Sequence, residues 1–181
     1  MRLAVDERAL VLVAGMPGAG KSTLLAGLPP DRRVTVLDSD TQRATLRRAL
    51  PGVPYRGYRW LVHVLHRAAV VWAALSRTPV VVVHLPATAP GTRTALARLA
   101  VLTGRRAHLL WLCVDPAVAL CGQADRGRLV PGRSFTRHAA AAAQVPRSSP
   151  EWSSVMVLDR SRARAGLVLD PPVRRSPVTA Q

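Results

Sequence analysis

A chain of 181 residues is long enough for one domain with a real core, and a hydrophobic content of 49% excludes wholesale disorder. The formal charge of +16 points first to a polyanion such as nucleic acid. Against that, the basic residues are spread along the chain, all but one are arginine, and isoleucine and asparagine are missing altogether. That pattern marks a GC-rich coding bias, so a nucleic-acid partner stays open but is not favoured.

In chain order, Ala9 to Ala14 is a short apolar run of buried-strand type. The segment Gly15-Met16-Pro17-Gly18-Ala19-Gly20-Lys21-Ser22 follows, and Ser22 to Leu28 has the composition of a helix start. Arg33 to Leu37 reads as a second strand, running into Asp38-Ser39-Asp40 and a helix from about Thr41 to Leu50. After the break at Pro51 to Pro54, Tyr55 to Arg77 reads as one long helix, and Val80 to Val83 as a β-branched strand covered on both faces. Gly91 to Thr103 is a helix, His108 to Val114 the fourth strand, and Asp115-Pro116 caps a helix reaching about Ala124. A basic loop from Arg126 to Arg133, a helix from Phe135 to Gln144 and a fifth strand from Ser154 to Asp159 complete the pattern.

Strand alternating with helix implies an α/β fold, with a five-stranded parallel sheet covered on both faces and right-handed crossovers. Residues 1–169 are expected to form one domain, and the proline- and arginine-rich residues 170–181 a flexible tail. Ligands in such sheets sit at the carboxyl ends of the strands, where both the glycine-rich segment and Asp38/Asp40 fall.

The glycine-rich segment has the spacing of a phosphate-binding loop, flanked by the strand and helix that this loop requires. Gly15, Gly18 and Gly20 let the backbone reach positive φ and approach phosphate oxygens with no Cβ in the way. Successive backbone N–H groups then form an anion nest, in a segment where Met16, Pro17 and Ala19 stand between the glycines and Thr23 just beyond them. Lys21 supplies a point charge for the β- and γ-phosphates of ATP, and Ser22 a hydroxyl for Mg²⁺. Lys21 is the one lysine in the chain. Where arginine has displaced lysine elsewhere, its survival here fits a nest that accepts a compact ammonium but not a planar guanidinium.

Other candidates are less specific. A carboxylate after the second strand faces the γ-phosphate and can take the proton of an attacking hydroxyl, which favours Asp40 over Asp38; the competing reading makes Asp40 a helix N-cap. Asp40 and Arg43 share a helix face. Arg126 and Arg128 lie on a loop able to close over ATP, or to remain simply solvated. His63 and His66 stand three residues apart with no third metal ligand in view, and His84 and His138 stand alone. Trp60, Trp72 and Trp111 sit among apolar neighbours and read as core. Tyr55, Arg56, Tyr58 and Arg59 are candidates for lining an acceptor pocket.

Gly15 to Thr23, Asp40-x-x-Arg43, Pro90-x-x-Arg93 and Arg126-Gly127 before Val130-Pro131 together resemble the P-loop kinases of small molecules and nucleic-acid 5′ ends, a group that includes polynucleotide kinase, gluconate kinase and chloramphenicol phosphotransferase. Val53 to Arg56, Gly122 to Arg128 and Ser134 to His138 are similar to segments of short actinobacterial AAA-family ATPases. The resemblance spans about Val11 to Asp159. It implies ATP and Mg²⁺ as cofactors, an unidentified hydroxyl acceptor, Asp40 as general base, Arg43 and Arg128 near the acceptor with Asp38, and Arg126 as a lid arginine. The departure from the group is at the third strand, where Val83-His84-Leu85-Pro86 offers no carboxylate, and at Gln123, where arginine is usual. Weak catalysis, or a switch or slow ATPase with no acceptor, is the reading this departure favours.

Cys113 and Cys121 form no disulfide framework, Met1 to Arg8 lacks the pattern of a signal peptide, and Arg67, Arg77 and Pro79 interrupt the longest apolar run. A cytoplasmic protein with no membrane partner is the expectation.

Overall fold

The computed structural model describes residues 1–125, 132–146 and 150–170. Its centre is a five-stranded, all-parallel sheet of β2 (Ala9–Gly15), β3 (Val34–Asp38), β4 (Val80–His84), β5 (Arg106–Leu112) and β6 (Ser154–Leu158), in the order β3-β4-β2-β5-β6. A second, two-stranded parallel sheet joins β1 (Arg2–Ala4) to β7 (Val168–Asp170). The helices are α1 (Lys21–Ala26), α2 (Ser39–Ala49), α3 (Tyr55–Leu75), α4 (Pro90–Leu102), α5 (Pro116–Ala124), α6 (Gly132–Ala143) and α7 (Arg160–Arg164).

The central strands are apolar on both faces because both are covered. Val11, Val13, Leu110 and Leu112 point into one core with Leu24 of α1, Ala119 of α5 and Ala163 of α7. Leu10, Leu12, Leu109 and Trp111 point the other way, into a core closed by Val70, Ala73 and Ala74 of α3 and by Leu96, Ala97 and Ala100 of α4. Doubly covered strands of this kind are the reason parallel sheets read as near-continuous runs of Val and Leu. From β2 the chain crosses to β3 on one side, and from β5 to β6 on the other. The crevice between β2 and β5 is therefore the switch point at which such sheets bind ligands.

Arg105 fixes the opposite pole. Buried just before β5, its guanidinium donates to the carbonyls of Ala74 (2.7 Å), Pro79 (2.9 Å), Ser76 (2.9 Å), Ala73 (3.2 Å) and Ala9 (3.4 Å). It thereby ties the carboxyl end of α3 to the starts of β2 and β4 and satisfies carbonyls that the end of a helix leaves open.

Three expectations change. Trp60 and Trp72 are not core: 64% and 79% exposed, they lie on the outer face of α3, whereas Trp111 is fully buried. The cap of α2 is Asp38, whose Oδ1 accepts from the Asp40 amide at 3.0 Å, so Asp40 sits in the first turn. Asp170 is also part of the folded unit: it pairs with Ala4 in register, accepts two bonds from Arg2 at 2.6 and 2.9 Å, and offers its carbonyl to the Val5 amide at 3.0 Å.

Candidate functional site

The glycine loop leaves β2 at the switch point. Gly15, Gly18 and Gly20 have φ of 139°, 87° and 100°, in the region that L side chains rarely adopt. Gly18 is doubly constrained, because a Cβ there would run into the Ala119 carbonyl of α5. A Cβ on Gly122 of the same helix would come within 2.5 Å of the Gly18 carbonyl oxygen. The loop and α5 thus approach through two glycines. Gln123 adds a bond from its Nε2 to the Pro17 carbonyl at 3.0 Å. The position lacking the usual arginine holds the loop's outer limb instead.

Lys21 opens α1 and is 5% exposed. Its Nζ donates to the Gly15 and Met16 carbonyls at 2.9 and 3.0 Å, so the ammonium lies folded into the loop. Ser22 is half-buried beside it and Thr23 is exposed. With α1 only six residues long, the helix dipole is a minor contribution, and the loop amides with Lys21 supply most of the positive potential.

Beside the loop, the sheet register sets Asp38 opposite His84 and His84 opposite Val13. His84 Nδ1 lies 2.7 Å from Asp38 Oδ2. Burial alone would raise the Asp38 pKa, but the contact with His84, its charge, and the Asp40 amide outweigh this and hold the carboxyl below its ordinary value. The site therefore keeps an ionised carboxylate against the end of β4 even though β4 carries none of its own. His66 of α3 faces the pair; it is 1% exposed, and neither ring nitrogen has a hydrogen-bond partner. Burial pushes its pKa down, so it is held as neutral imidazole. His63, by contrast, is exposed, and no group of three His, Cys, Asp or Glu side chains among the described residues is arranged to hold a metal ion.

On the far side of the cleft, Thr88 Oγ1 and His138 Nδ1 of α6 lie 2.8 Å apart. Burial, then the charges of Arg137, Lys21 and Arg59, push the His138 pKa down, so cationic groups of α6, the glycine loop and α3 all act on this ring. The loop after β4 is held by Arg93, whose Nη1 donates to Ala87 and Thr88 carbonyls at 3.1 and 2.6 Å while its guanidinium lies over Trp111. Arg43 of α2 stacks on Tyr55 of α3 at 4.3 Å, and Tyr55 meets Tyr58 edge-on. Thus Tyr55 is at the α2–α3 junction, and Tyr58 is buried beneath it. Arg126 and Arg128 lie outside the described residues.

Sequence reasoning missed the contacts of His84 and His138. Strand ends near a phosphate loop were the available signal for His84, since its position closes the valine strand; nothing local announced the Thr88–His138 contact, which links residues fifty apart.

A parallel sheet in this order, with a glycine loop and buried lysine at its switch point, defines a P-loop fold of the kinase-like group. The chain belongs to the AAA-domain family, whose model matches residues 10–148. In fold it is similar to a candidate kinase from Chloroflexus aurantiacus (15% identity, 84% of this chain and 88% of that one, TM-score 0.64). It is likewise similar to a sugar kinase from Janibacter (20% identity, 87% and 91%, TM-score 0.55) and a gluconokinase from Sinorhizobium meliloti (18% identity, 88% and 89%, TM-score 0.51). No curated protein matches the sequence. No helix among the described residues is long and apolar enough to cross a membrane.

Proposed function

We infer that the protein is an ATP-dependent phosphotransferase that moves the γ-phosphoryl group to a hydroxyl acceptor, a small molecule or a nucleic-acid end. One observation carries this reading: the glycine loop with its buried Lys21 ammonium leaves β2 at the same carboxyl edge of the parallel sheet where Asp38 ends β3 and Asp40 stands in the first turn of α2. Gly15, Met16, Pro17, Gly18, Ala19, Gly20, Lys21, Ser22 and Thr23 form the phosphate cradle; its backbone donors come from the limb after Pro17, since Pro17 has no N–H and the Gly15 N–H donates to the Pro86 carbonyl at 2.9 Å, and Lys21 turns to the β- and γ-oxygens. The hydroxyl of Ser22 would hold Mg²⁺, with the ionised carboxylate of Asp38 as a further hard oxygen donor at the same edge, and the ion would supply neutralisation of the phosphate charge.

Asp40 accepts the proton of the acceptor hydroxyl as its oxygen bonds to the γ-phosphorus; the bond to the β,γ-bridging oxygen breaks, and ADP leaves with that electron pair. Arg43, fixed over Tyr55, and Asp38 border the acceptor. Arg126 and Arg128 are assigned from sequence alone, as the lid arginine and an acceptor contact.

Labelled Mg-ATP and an acceptor pool test the reading. Transfer is expected with the intact protein, together with loss of transfer but retained ATP binding in Asp40→Ala; transfer that survives the substitution removes Asp40 from the base role. A second reading, a slow ATPase or nucleotide switch, draws support from His84 at the end of β4, where it engages the nearest carboxylate. Equal ATP turnover with and without every acceptor decides for that reading.

A further inference from the structure

The outer face of α3 is the least explained surface of the molecule. Trp60, Val64, Ala68, Val71 and Leu75 recur every three or four residues, so they form one stripe on a helix of 21 residues, with Trp72 on its flank. Trp60, Trp72 and Leu75 are 64%, 79% and 65% exposed, and all six side chains lie on one helix face over about 22 Å of its length. At its carboxyl end the stripe is joined by Val101 and Leu102 of α4, 65% and 83% exposed. Arg8 brings the two helix ends together by donating to the Ser76 and Thr103 carbonyls. Isolated apolar side chains on a surface need no explanation, but a continuous band with two tryptophans does.

We propose that this face is where two copies of the chain associate, through an antiparallel pair of α3 helices crossing at Ala68. Three observations single out a second copy. The first is apolar matching about Ala68: the positions four residues away, Val64 and Trp72, and those three away, Leu65 and Val71, are all apolar. Reversing one helix therefore sets Val64 against the partner copy's Trp72 and Leu65 against its Val71, the self-complementary matching that a twofold interface requires. The second is shape, since the smallest residue lies at the crossing and the largest toward the ends, which lets the axes approach and the tryptophans pack alongside. The third is area: two largely exposed tryptophans with the aliphatic residues around them approach the roughly 800 Å² per partner of a stable interface.

Charge predicts how this association responds to salt. Arg56, Arg59, His63 and Arg67 follow one edge of the stripe, and α3 carries no acid. Arg67 lies near the axis and faces its own copy. Screening relieves that repulsion while leaving the apolar centre intact, so added salt strengthens the dimer. A membrane of anionic lipid or an acidic partner protein on the same face would respond with the opposite sign.

Sedimentation velocity of the full chain over a concentration series is expected to show a monomer–dimer equilibrium that shifts toward dimer as salt rises. Trp72→Glu should weaken association by about thirtyfold or more, with an unchanged circular dichroism spectrum. Position 68 tests the geometry independently and without a large side-chain change. In a Cys113→Ser/Cys121→Ser background, Ala68→Cys should form a disulfide with its own copy on mild oxidation, whereas Ala49→Cys on α2 should not. A monomer at every concentration and salt, a dimer that dissociates as salt rises, or a dimer in which Ala68→Cys stays reduced overturns the proposal. If Trp72→Glu fails to fold, the cross-link at position 68 decides.

Discussion

Lys21 is bound by geometry as much as by charge. Its ammonium reaches two loop carbonyls from a position that is almost wholly enclosed, with room for one compact donor head. A guanidinium is planar, wider and fixed in its fork, so Lys21→Arg keeps the charge but not the fit. We expect Lys21→Arg to lose triphosphate affinity at least about tenfold, close to the loss in Lys21→Ala, because the fit rather than the charge decides. Titration calorimetry with ATP checks this; full affinity in the arginine variant would contradict it. Gly18→Ala should be worse, since φ of 87° and the Ala119 carbonyl both oppose a Cβ. A loss of about 2 kcal/mol in unfolding free energy together with failure to bind ATP is the expected outcome, read by urea denaturation and calorimetry. These positions were legible in the sequence because a glycine or a solitary lysine records a demand made by its own backbone. The Asp38–His84 contact was not. It arises from the register of two strands whose sequences lie more than forty residues apart, and neither strand alone implies it.

Elements were legible where they are long or apolar throughout. The five central strands and the order of helices between them follow from runs of Val and Leu separated by helical stretches, and each boundary falls within a few residues of expectation. β1 and β7 are three residues long, too short to show a period, and each has a partner at the other end of the chain. On α3 the error was one of phase. Tyr58, Val62, His66, Val70 and Ala73 recur every three or four residues and face inward, and Trp60 and Trp72 fall between them. Judged by apolar neighbours, the tryptophans look internal; judged by angle around the helix, they cannot be. The same helix depends on Arg105 at its end. Arg105→Met preserves much of the buried stem but leaves the carbonyls of Ala73, Ala74, Ser76 and Pro79 without these donors. Ala73 keeps the Ser76 N–H and hydroxyl, Pro79 the Ala9 N–H and Ser76 the Arg8 guanidinium, so the cost falls chiefly on the buried Ala74 carbonyl, and we expect a loss of about 2 kcal/mol in urea unfolding. A change below about 0.5 kcal/mol would show that water replaces the guanidinium freely.

Across the whole molecule, the histidines tie stability to pH. His66 and His108 are both buried, at 1% and 3% exposure, and burial is the leading cause that depresses each pKa, in His108 despite the bond to Asp6. In the unfolded chain each titrates near the ordinary value of about 6.5. As pH falls through that value, the unfolded chain takes up protons that the folded one refuses, so the unfolded state binds more and stability falls. The contribution is complete above the unfolded value and is lost as pH descends toward the folded one. The Asp38 carboxyl is also depressed and acts with the same sign, but in a separate window that begins near its ordinary value of 3.8. Unfolding free energy should therefore be level at neutral pH, decline below about 6.5, and decline again at strongly acid pH. The groups facing His66 are Asp38, His84 and His63, of which Asp38 favours its protonation while the two histidines oppose it. Replacing it by an apolar side chain of similar size removes one proton-binding site from the unfolded chain and none that is occupied in the folded one. His66→Leu should thus flatten the first decline while leaving the second. Urea midpoints measured from pH 7.5 to pH 5 decide the matter: a variant as acid-sensitive as the parent would mean that His66 is charged where it sits, and that its two ring nitrogens are satisfied by a partner such as bound water.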